Sequence, residues 1–367
     1  MMLPSLGRWL RAAASLLAAI LSVAAADASA PPGQAAPEVR LPLAVTVTLS
    51  DIEPIVRAVG GDLVSSFVVM PSGGDPHSYS ISAEVVRRAQ DADLIVYTDT
   101  RNLAFEAHLR TNLPGVPAVD WPDYARHGAR LFDCAGMPQN PHGYWLNFGN
   151  GRAIAIAVAE ALVAHGAPRE AIEANLRRFV EELDVARATG LALAEEAGVV
   201  GDTLIIAAPG IADIVGNLGM VPVNILVSEG GGFVSAAALD DVMRQLKRGT
   251  ARAIACPGNL REAKAGDVAR QLSEDTGRPI IWVRFLAGAS GSYLSQAYYN
   301  AAVLTCPTTA VRAATASSQG WTTPYVAAIA ALAAVVIAQA AYLLRRRTRN
   351  DGISGHGMFD EDQASTT

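Results

Sequence analysis

Val68-Val-Met-Pro-Ser-Gly-Gly-Asp-Pro-His-Ser-Tyr79 runs from an apolar segment through a glycine turn to a histidine held behind a proline. An apolar run bounded by Pro71, Gly73 and Gly74 reads as a buried strand ending in a loop. Loops at the carboxyl ends of strands carry the binding groups in open α/β sheets, and His77 falls at such an end. Pro76 restricts Asp75 to extended geometry, so the loop presenting this imidazole is stiff. Asn140-Pro-His-Gly-Tyr-Trp-Leu146 repeats the Pro-His pair further along. Two rigidly presented imidazoles are the start of a metal site.

Outward from this stretch, strand and helix patterns alternate. Residues 43–49 and 63–70 read as strands around a helix over 51–59 that Gly60-Gly61 stops. A helix capped by Ser82 follows over 82–91, then a strand over 94–98 and a helix over 103–109. Glu106 and His108, two apart on that helix, lie on different faces, and His108 reads as a surface residue. Residues 121–139, mixed polar and small, read as a loop near the mouth of a cleft. Helical patterns cover 151–164 and 168–197, the second with Pro168 in its first turn. A helix of that length spans about 45 Å at 1.5 Å per residue, enough to back a two-lobed body. Strands over 203–207, 223–227, 251–255 and 279–283 then alternate with helices over 211–218, 235–247 and 263–276. The fold class expected is α/β: two lobes, each a parallel sheet flanked by helices, joined by a long rigid helix, plus a C-terminal transmembrane helix. A rigid connector implies only modest lobe closure.

The ends carry the surplus of apolar residues. Residues 1–28, with Arg8 and Arg11 before an apolar run and small residues after it, have the layout of a secretory signal peptide. No cysteine follows closely, which argues against lipoprotein processing. A linker over 29–40 leads into an N-terminal lobe (41–150), connecting helices (151–201) and a C-terminal lobe (202–307). A second linker (308–321) precedes residues 322–344, whose run from Tyr325 to Leu344 has Gln339 as its one strongly polar residue. That is long enough to cross a bilayer, and Arg345-Arg-Arg-Thr-Arg349 places the tail (345–367) in the cytoplasm. The expected location is the periplasmic face of an inner membrane, with one C-terminal anchor. Net charge −6 and no basic block within the folded region exclude nucleic acid as a partner. Of Cys134, Cys256 and Cys306, the last two fall in one lobe and are the expected disulfide in an oxidising compartment. No Gly-x-Ser-x-Gly elbow, P-loop or His-Glu-x-x-His occurs, and Gly230-Gly-Gly232 is a turn; nothing points to an enzyme or a catalytic cofactor.

The chain resembles the zinc and manganese solute-binding proteins of ABC importers, the TroA and ZnuA type. The likeness rests on Val45-Thr-Val-Thr-Leu-Ser-Asp51, Val59-Gly-Gly-Asp62, Asp75-Pro-His-Ser-Tyr79 and Ala92-Asp93. It continues through Asn140-Pro-His142 with Trp145-Leu146, Asn175 in the long helix, Tyr293 and Asn300. The resemblance implies a monomeric receptor that delivers a divalent transition metal, zinc or manganese, to an ABC permease in the inner membrane. It implies His77 and His142 as the first two metal ligands, with Gly143-Tyr144 adding one residue before Trp145. Where zinc members carry a histidine-rich loop, only His127 is present. The third and fourth ligand positions fall on Ala208, which has no lone pair to offer, and Arg284, a fixed cation. Asp213, Glu229 and Cys134 are the candidate replacements, and Cys134, Met70 or Met137 would shift preference toward copper. Three readings follow: a metal receptor with a remodelled site, a receptor that holds an anion or chelated metal through Arg284, and an interaction protein on the same fold.

Overall fold

Strand β1 (Leu43–Leu49) is buried on both faces, Val45 and Val47 on one side and Thr46 and Thr48 on the other, as a central strand of a parallel sheet requires. It pairs in parallel with β2 (Val64–Met70) and β3 (Leu94–Val96), and β3 with β4 (Ala118–Val119), in the order β2-β1-β3-β4. The second lobe repeats this winding with β5 (Thr203–Ile206), β6 (Val221–Ile225), β7 (Ala253–Pro257) and β8 (Ile280–Val283), ordered β6-β5-β7-β8. The structure, a computed structural model, describes residues 41–73, 75–227, 232, 234–285 and 291–306.

Helices α1 (Glu53–Gly60), α2 (Ala83–Gln90), α3 (Ala104–Asn112), α4 (Trp121–Arg126) and α5 (Phe148–Ala164) belong to the first lobe, and α6 (Arg169–Glu196) is the connector. At 28 residues, α6 is about 42 Å long. It serves both lobes. Near its start the Asn175 amide donates to the Val59 carbonyl at 3.0 Å, satisfying a free acceptor at the end of α1. Near its end Gly190 lies so close to Leu218 that a Cβ would meet the leucine side chain at 3.0 Å. The second lobe adds α7 (Ala212–Gly216), α8 (Ala236–Arg248), α9 (Lys264–Thr276) and α10 (Tyr293–Thr305), the last packed on α6 and β8.

Two expectations change. Residues 121–139 are not all loop: α4 opens them, with the Asp120 carboxylate accepting from the Trp121 N–H and the Asp123 carboxylate accepting from the Asp120 N–H at 2.8 Å. A capping box written Asp-x-Pro-Asp starts a six-residue helix too short to show apolar periodicity. Cys256 and Cys306 are not joined. Cys256 is buried within β7, and Cys306 is half-buried at the end of α10. The anchor over 322–344 and the signal peptide lie outside the described residues, among which no helix is long and apolar enough to cross a membrane.

Candidate metal centre

The same local device builds both histidine loops. The His77 N–H donates to the Asp75 carboxylate at 3.0 Å, and the His142 N–H donates to the Asn140 side-chain oxygen, also at 3.0 Å. In each Asx-Pro-His triplet the first side chain mimics a backbone turn and the proline fixes the next φ, so the imidazole leaves the loop in a set direction. The rings meet edge to face, centroids 5.2 Å apart. His77 is exposed and His142 half-buried. Sequence reading singled out the Pro-His pairs; the Asx two residues before each histidine was the further signal.

The segment carrying His142 is also the seam between the lobes. Asn140, buried, donates to the Pro209 carbonyl at 3.1 Å. Asn217 donates to the Leu146 carbonyl at 2.8 Å and accepts from the Phe148 N–H at 3.2 Å. The buried Tyr293 hydroxyl donates to the Trp145 carbonyl at 2.8 Å. Between these bonds Gly143, in the left-handed region at φ 68°, lies against Gly210 so closely that a Cβ would sit 2.5 Å from the Gly210 carbonyl oxygen. Gly143 thus gives the lobes a glycine-to-glycine contact beside the histidine.

Other expected donors are elsewhere. Ala208 caps the turn Pro209–Ile211 and brings no ligand atom. The Arg284 guanidinium lies 4.4 Å over the Tyr299 ring, in a cavity that neither histidine lines. Cys134 is buried, and burial, with the Asp213 carboxyl, pushes its thiol up to about 11, so it is protonated at neutral pH. Burial likewise raises Asp213 to about 7. Met70 belongs to the first lobe's core, and the Met137 N–H and carbonyl bond back to Cys134. His127 pairs with Glu160 at 3.0 Å, and His108 is exposed on α3. Glu229 lies outside the described residues. Among the described residues no three of His, Cys, Asp and Glu gather as a metal shell, and the two imidazoles stand together.

The family model described as ZnuA, zinc-uptake complex component A, periplasmic, matches residues 45–305. The chain belongs to the ZnuA family. Among curated ZnuA-type relatives, the manganese ABC transporter substrate-binding lipoprotein PsaA of Streptococcus anginosus is 30% identical over 151 residues, 39% of this chain and 48% of that one. The metal ABC transporter substrate-binding lipoprotein ScbA of Streptococcus cristatus is 32% identical over 151 residues, 38% and 48% of the two chains. The chain therefore spans about half the length of the curated relatives it matches. The crystal structure of a ZnuA superposes with a TM-score of 0.60 at 19% identity, covering 72% of this chain and 98% of that one. The Mn2+ complex of FpvC from Pseudomonas aeruginosa superposes at 0.62 and 18% identity, covering 73% and 99%. At these identities the superpositions speak for the fold.

Beneath the seam, this ZnuA-family chain buries a carboxyl. Glu106, fully buried on α3, contacts the Thr48 hydroxyl and accepts from the Thr98 N–H at 2.9 Å and the Asp99 N–H at 2.8 Å. The Thr98 carbonyl in turn accepts from Tyr144, two residues past His142, at 2.7 Å. Burial raises Glu106 from 4.5 to about 7 despite these donors. The folded state therefore holds a proton that the unfolded chain releases, and Glu106's contribution to stability falls as pH rises from about 4.5 to about 7 and is level above. Glu106→Gln removes this proton uptake and turns an amide N–H toward backbone donors. It is expected to cost about 1–3 kcal/mol at pH 5 and to flatten the loss of stability between pH 5 and 8 in urea titrations. An unchanged pH slope would remove Glu106 as its source.

Proposed function

We propose that the chain is an extracytoplasmic receptor, not an enzyme, that carries a divalent transition metal to an ABC permease, binding it through His77 and His142. The observation carrying this reading is the pair of Asx-Pro-His loops that set two imidazoles edge to face, 5.2 Å between ring centroids. The names of the relatives, manganese and zinc binding proteins of such importers, agree with it. The site is remodelled: Ala208 and Arg284 supply no ligand, and water completes the shell. Such a site binds weakly and exchangeably. Imidazole donors favour zinc over manganese. Residues 322–344 tether the receptor, which keeps it near its permease at high effective concentration. Titration of the chain with zinc, manganese and copper, with chelator controls, is expected to show one saturable site preferring zinc to manganese. A chain ending at residue 320 is expected to leave the membrane fraction. Absence of binding to every ion would sink the metal reading, and a truncated chain still in the membrane would sink the tether.

A further inference from the structure

A cavity lies around Arg284. It measures about 240 Å³ and is lined by Gly258, Asn259, Val283, Arg284, Phe285 and Tyr299 at the carboxyl ends of β7 and β8. At about 30 Å³ per water that is room for about eight waters, or one small organic molecule. The backbone of Arg284 is clamped from α10. Its N–H donates to the buried Asn300 side chain at 2.7 Å, and its carbonyl accepts from Asn300 at 2.8 Å and from the buried Gln296 at 3.1 Å. The side chain leaves this clamp and lies over the Tyr299 ring, guanidinium carbon 4.4 Å from the centroid. Stacking occupies one face of the guanidinium and leaves its in-plane N–H edge for a planar, bidentate acceptor. Among the described residues no carboxylate bonds to Arg284, although the chain carries more acidic than basic residues.

We infer that this cavity binds a small carboxylic acid with a flat apolar body. The carboxylate pairs with Arg284, the body lies against Tyr299, Phe285 and Val283, and the Asn259 amide serves a further polar group. A metal ion is excluded, because the guanidinium repels it and cannot shed its charge. Neither histidine lines the cavity, although its Phe285 packs on Gly210, which lies against Gly143 beside His142.

The test uses the full chain with salicylate as the planar probe and inorganic phosphate as a compact anion, followed by calorimetry. Salicylate is expected to bind at one site and more tightly than phosphate. Arg284→Gln should weaken it at least tenfold and Tyr299→Leu several-fold, with the thermal transition kept because both residues are exposed. His77→Ala with His142→Ala should leave salicylate affinity unchanged. The inference is overturned by no saturable salicylate binding, by Arg284→Gln binding as well as wild type, by phosphate binding more tightly, or by loss of binding in the double histidine variant.

Discussion

Gly143→Ala is expected to destabilise the protein by about 2–5 kcal/mol, far more than alanine at an ordinary surface glycine. At φ 68° an L-residue costs about 1–2 kcal/mol in the left-handed region. The new Cβ would also stand 2.5 Å from the Gly210 carbonyl oxygen and 2.8 Å from its Cα, backbone atoms that move only if the seam opens. Overpacking of that kind adds about 1–3 kcal/mol. Gly198 provides the control, with a φ of 65° and nothing within 4 Å of a built Cβ. Gly198→Ala carries the backbone cost alone, about 1–2 kcal/mol. Urea denaturation of the two variants side by side separates the terms. Equal losses would mean that the Gly143–Gly210 contact holds nothing together.

The double change His77→Ala and His142→Ala is expected to lower zinc affinity by at least about 100-fold, since losing a partner behind a ligand already costs about 10–100-fold. Folding should survive. His77 is exposed, and the bonds that shape the two loops come from the histidines' backbone N–H groups, which alanine keeps. Each single change is expected to lose most of the affinity, because one imidazole and water make a poor shell. Zinc binding that survives the double change would move the site elsewhere.

Much of the fold was legible because parallel strands buried on both faces read as apolar runs, and glycine or serine marks where helices stop and start. Leu43–Leu49, the Ser82 cap and the connector Arg169–Glu196 were readable this way. The helix at Trp121–Arg126 was not, because its signal is two aspartates rather than a hydrophobic period. Strand Ala118–Val119 is two residues long and carries no period at all. The histidine pair was legible as a repeated Pro-His, but the lobe seam beside it, made by Asn140, Asn217 and Tyr293 through backbone carbonyls, was not. Bonds to carbonyls leave no pattern in the partner's sequence. For the same reason the clamp from Asn300 on Arg284 was invisible, although Asn300 itself stood out.

X-ray absorption at the zinc edge of the zinc-loaded chain tests the two-histidine site most directly. The expected spectrum has two imidazole nitrogens at about 2.0–2.1 Å with oxygen completing the shell and no sulfur. A shell without imidazole, or one with sulfur near 2.3 Å, would contradict it, the second by placing Cys134 or another thiol on the metal.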